Sequence, residues 1–148
     1  MSGPGEIVDA GTGRGGLRRL LVPIGIVAGC AVYWALARAF GAPVEVWDGV
    51  FTFTNPRWVA NVALTPAVAG FVTGFITGEH GKWYGMVPVT VVHTADYFAL
   101  VGGQNPEVHV LGFPLFVFFM LVMLELGLMA GWGAEILRHR MGGRNVRA

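Results

Sequence analysis

The chain has 148 residues, 54% of them hydrophobic and only 13% charged, with a mean hydropathy of +0.59. Soluble domains carry about 25% charged residues, so roughly half the usual supply for a wetted surface is present and most of the surface must face lipid. A net charge of +1 excludes a general basic field for nucleic acid, and the sole cysteine, Cys30, excludes an intramolecular disulfide framework or a multi-cysteine metal site.

Residues 1–17 are rich in Gly, carry Glu6, Asp9 and Arg14, and lack apolar periodicity. They read as a flexible tail, and the two acids argue against an organelle transit peptide. Residues 20–40 are apolar apart from Arg38, long enough for about 30 Å of helix at about 1.5 Å per residue. Arg18-Arg19 before this run also fits a secretory signal, and Val27-Ala28-Gly29-Cys30 resembles a bacterial lipobox. Against cleavage, the apolar run continues through Ala31, Val32, Tyr33 and Trp34, where a mature lipoprotein turns polar. The Arg pair also lacks the flanking residues of a twin-arginine signal.

Residues 42–57 form the first connection. Trp47, Phe51, Phe53 and Trp58 suit an aromatic belt at the lipid headgroups. The alternation Val50-Phe51-Thr52-Phe53-Thr54 suits a short strand or an extended segment, closed by a turn at Asn55-Pro56. A second span follows at 58–77. It carries Gly70, Gly74 and Gly78, one small residue every four positions, with Thr73 and Thr77 beside the stripe. Such a stripe lets another backbone approach closely. Gly25/Gly29 and Gly127/Gly131 repeat the spacing in the first and last spans.

A tight turn at Gly78-Glu79-His80-Gly81-Lys82 leads into a third span, 83–101, which ends at the breaker cluster Gly102-Gly103-Gln104-Asn105-Pro106. The fourth span covers 111–132. Its helix is expected to project as far as Met141, with Gly142-Gly143 ending it and a basic tail over 142–148. The wide face of Phe113, Phe116, Phe118, Phe119 and Met120 is expected to meet lipid or a partner helix, and Met120, Met123 and Met129 suit adaptable packing. Each half of the chain has an outer Asn-Pro (Asn55-Pro56 and Asn105-Pro106), but little else repeats, which argues against a duplicated transporter fold.

With four spans both termini share one side. That side holds Arg14, Arg18, Arg19, Lys82, Arg138, Arg140, Arg144 and Arg147, against Arg38 and Arg57 on the other. The basic excess places both termini in the cytoplasm. The expected fold is therefore all-α: a polytopic integral membrane protein of four transmembrane helices, one domain over 18–141, in the cell (inner) membrane.

Polar groups inside the hydrocarbon are costly and mark function or helix pairing. His93, Asp96 and Glu125 lie there, at about 12, 8 and 20 Å below the outer boundary by helical rise. His93, Asp96 and Tyr97 share a face at i, i+3 and i+4. One reading is a proton or cation relay through Asp96, His93 and Glu125. The other is structural: His93 bonds Glu125 or a carbonyl, and Asp96 pairs with Arg38. His93 is the single intramembrane His, which disfavours a bis-histidine haem within one copy; a haem held by His93 and a ligand from another subunit, or a quinone pocket near Tyr97, Trp34 and Asp96, is a weaker option. His93-x-x-Asp96 is too thin for a metal site. No nucleophile–base set, phosphate loop or HExxH helix occurs, so no enzyme is expected and no cofactor is assigned. The leading expectation is a small accessory subunit that packs within or assembles into a larger membrane complex, its partners being the bilayer and other subunits or copies of itself. The alternative is a proton- or cation-conducting transporter or channel.

Overall fold

The computed structural model describes residues 12–47, 49–103 and 109–144, and these are helical apart from short connections. The first helix, α1, spans Thr12–Phe40; a 3-10 helix covers Gly49–Thr54; α2 spans Pro56–Thr77. A third helical path follows in pieces: α3 (Gly81–Tyr84), a π-helical turn (Val89–His93) and α4 (Thr94–Gly102). The last helix, α5, spans Phe113–Arg144. Three stretches are long and apolar enough to cross a membrane: Leu20–Phe40, Pro56–Thr77 and Phe113–Met141.

Several boundaries differ from the sequence reading. Helix begins at Thr12, inside the stretch expected as a tail, and α5 runs through Gly142-Gly143 to Arg144. The segment expected as a strand is instead the 3-10 helix, where Thr54 donates to the Phe51 carbonyl at 2.8 Å. Asn55 caps α2 by accepting from the Arg57 amide at 3.0 Å, with Pro56 at the first helical position, so Asn-Pro starts a helix and does more than close a turn. Residues 1–11, Asn105-Pro106 and the tail beyond Arg144 lie outside the described residues.

The middle of the bundle is α2, packed between α1 and α5. One of its stripes, Ala69, Thr73 and Thr77, meets Gly25 and Gly29 of α1: a β-carbon added at Gly25 would lie 2.7 Å from the Thr77 methyl, and one at Gly29 would overlap the Thr73 hydroxyl. Thr73 and Thr77 bond back to the carbonyls of Ala69 and Thr73, both at 2.9 Å, so their polar atoms are spent within the helix and their bodies are left for packing. The adjacent stripe, Gly70 and Gly74, lies against Gly127 and Gly131 of α5, backbone on backbone. Gly81 and Gly85 complete this junction from the third path. Gly78 plays a different part from the stripe. At φ 76 it terminates α2, and its amide donates to Gly74 while Arg138 fills the space beside it.

The third path runs the length of the bundle. It starts beside Gly74 and Gly131, passes Gly127 at Gly85 and Val89, and ends where Tyr97 donates to the Leu111 carbonyl. Five of its buried positions, Gly81, Gly85, Val89, His93 and Tyr97, are spaced by four, with Pro88 buried beside Val89. On a regular helix that spacing drifts by about 40° per step. The π turn takes more residues per turn and so returns the drifting face to the core. Pro88, which has no amide to give Tyr84, sits just before it.

At one end the first and last connections pair. Trp47 donates to His109 and Leu111 to Glu45, both at 2.8 Å, around the bridge Val46–Val110. Asn61 of α2 ties the same strap by donating to the Ala42 carbonyl at 3.0 Å and accepts from Thr65 at 2.6 Å. Trp58, expected in an aromatic belt, is buried inside the bundle, edge-on to Phe119 at 5.1 Å and to Phe53 at 5.6 Å. The expected phenylalanine face also divides, with Phe116 and Phe119 in the core and Phe113 and Phe118 exposed.

Candidate functional site

The paired connections press Glu45 into the bundle. Glu45 is 5% exposed and His93 is fully buried, and the His93 Nδ1 lies 2.6 Å from Glu45 Oε1. At that distance one proton lies between the two groups. The π turn supplies the imidazole and the strap supplies the carboxylate. The partner expected for His93, Glu125, is elsewhere. The far side of the ring, Nε2, is buried without a hydrogen-bond partner among the described residues. Phe116 stacks on His93 with centroids 5.0 Å apart and on Tyr97 at 3.9 Å, locking both rings.

Beside this pair lies a cavity of about 340 Å³ between α1, α4 and the strap. Tyr33, Arg38, Glu45, Asn61 and Asp96 furnish its polar wall, and Ala37, Val44, Ala99 and Leu100 its apolar wall. Arg38 Nη2 stands 3.8 Å from Asp96 Oδ1 and also faces the Trp34 ring at 5.5 Å. Arg38 is well exposed, so this is a loose pair at the rim rather than a buried clamp.

The sequence-derived set is therefore split. His93, Asp96, Tyr97 and Arg38 gather at the strap end, joined by Glu45, Tyr33 and Asn61. Glu125 does not join them. It is exposed on α5, on the side opposite Phe116, Phe119, Met123, Gly127 and Gly131, and makes no hydrogen bond or ion pair among the described residues. Depth along the helix was the basis for grouping it with His93; its angle around the helix separates them. Glu125 is two residues, about 200°, from both Met123 and Gly127. Glu45 escaped the sequence reading because it stands in a connection, although an acid flanked by Val44 and Val46 is itself an unusual loop pattern.

Among the described residues no group of three or more His, Cys, Asp or Glu is placed to hold a metal. His93 Nε2 is fully buried among the described residues. No protein-family model matches this chain, and neither does a curated protein or a solved structure.

Proposed function

We propose that this protein is a small integral subunit of the cell (cytoplasmic) membrane, with four crossings and both termini cytoplasmic, which assembles with another membrane protein through the outer face of α5. The observation that carries this reading is Glu125. It sits about 3 Å from the midpoint of Phe113–Met141 by helical rise, on a stripe of exposed apolar residues: Phe118, Leu121, Met129 and Trp132. A carboxylate there costs about 3 kcal/mol in lipid unless something shelters it.

The stripe itself carries no basic residue. Two copies meeting symmetrically through it would oppose acid to acid, so the better partner is a helix of a different subunit bearing Arg, Lys, His or an amide at matching depth. The third helical path supports the fourth crossing, since it travels between the same two ends as α2 and α5. The excess of Arg and Lys at the Gly78–Arg138 end supports the orientation.

Photo-crosslinkers at Leu121 and Met129 test the proposal in native membranes. Adducts with one defined membrane polypeptide at both positions, lost in Glu125→Leu while the thermal melt of the subunit is unchanged, support it. Labelling by lipid alone, or adducts indifferent to Glu125→Leu, overturn it.

A further inference from the structure

The strap end carries an imbalance of charge independent of whether α5 docks a partner. The charged and titratable groups facing one another there are Arg38 from α1, Glu45 from the strap, His93 from the π turn and Asp96 from α4, with Tyr33 in electrostatic reach of both carboxylates. Tyr97, also on α4, has its hydroxyl engaged by the Leu111 carbonyl, while α2 adds the neutral Asn61 and α5 adds Phe116. With His93 neutral, the buried Glu45 carboxylate has no cation against it, because Arg38 stands with Asp96 at the exposed rim.

The geometry points to Glu45 as a reversible proton-binding site at the wall of the cavity, with His93 as the residue that positions it. Glu45 engages His93 through one oxygen and also lines the cavity. In the unloaded state the His93 Nδ1–H donates to the carboxylate. A proton arriving through the cavity, past Asp96 at its rim, adds to the other Glu45 oxygen. The carboxylate becomes a carboxylic acid, the Nδ1–H bond is kept, and the cluster becomes neutral. Release reverses each step, with the proton returning to the cavity.

The imidazole is the poorer carrier. A proton on Nε2 creates a buried N–H with no acceptor, whereas the same atom left bare is an unused lone pair. The ligand is thus a proton, and the cavity is its route to one side of the bundle.

Infrared difference spectra of the full chain in lipid nanodiscs test this directly. Acidification of the wild type should produce, beside the carbonyl bands of its other acids, one carboxylic-acid band that is lost in Glu45→Gln and kept in Glu125→Gln. Glutamine preserves the acceptor for His93, and circular dichroism checks that the variant is folded. Ala99→Trp, which occupies the cavity wall away from the pair, should slow appearance of the band at least tenfold after a pH jump. Absence of the band in wild type, its persistence in folded Glu45→Gln, or an unchanged rate in Ala99→Trp overturns the assignment. Should Glu45→Gln fail to fold, the Ala99→Trp rate decides.

Discussion

Glu45 and His93, 48 positions apart, meet at 2.6 Å with both side chains buried. One belongs to a connection and the other to a π turn, so the contact fastens the strap to the helical core. Removing one partner strands the other. His93→Leu should destabilise the protein by about 3 kcal/mol, because it leaves a buried carboxylate without its donor. The double variant Glu45→Leu/His93→Leu should cost less than the sum of the singles. A double-mutant cycle on thermal unfolding in detergent measures the coupling, and strict additivity would refute it.

The glycine junction makes a sharper steric demand. A β-carbon at Gly127 would sit 2.8 Å from the Gly85 carbonyl oxygen, and one at Gly131 would sit 2.5 Å from that of Gly81. Both obstacles are backbone and cannot rotate away. Gly127→Ala should therefore cost about 1–3 kcal/mol through forced separation of α5 from the third path. Gly133→Ala, at a position with open space around it, should leave the melt unchanged or raise it slightly, since Ala is the better helix former. Equal melts for the two variants would show that the close approach is unimportant.

These two contacts mark what was legible in the chain. Small residues at intervals of four show which faces of α1, α2 and α5 can touch, because only local spacing is needed to infer them. Their partners Gly81 and Gly85 were harder to see, since they straddle a turn and a short helix. The π turn was not legible: it follows from keeping five buried residues at strict four-residue spacing, and their burial is a tertiary fact. For Glu125 the helical phase relative to Gly127 was available and points outward, yet α5 is apolar on every side, so no hydrophobic contrast drew attention to it. Glu45 became visible only once two loops distant in sequence were paired.

Arg138 fulfils a role that its position among the basic residues near the end of α5 conceals. Its Nη1 donates to the carbonyls of Phe75 at 2.9 Å and Ile76 at 2.6 Å, in the last turn of α2. Those carbonyls have no partners within the helix, and the guanidinium also opposes the negative end of the helix dipole. Arg138→Gln should raise amide exchange across residues 75–80 and cost about 1–2 kcal/mol. Hydrogen–deuterium exchange resolved by peptide reads this. An effect confined to α5 would contradict the capping role.

Arg38 and Asp96 present the opposite case, a pair of formal charges from which little stability follows. The nearest approach is 3.8 Å, and the Arg38 side chain is 65% exposed against 28% for Asp96. A single long contact at a wetted rim gains little Coulomb energy, and ordering a long arginine side chain offsets part of it. Arg38→Gln should then change the unfolding free energy by no more than about 0.5 kcal/mol, with the melt nearly insensitive to salt. Asp96→Asn should behave alike, because an amide can still accept from Arg38. A loss comparable to that of His93→Leu would mean that the guanidinium is held far more firmly than 3.8 Å implies, and that the rim is closed. The small expected effect also suits the site's chemistry: a carboxylate clamped by a rigid arginine would hand protons inward poorly, whereas a loosely held one can turn between the rim and the cavity.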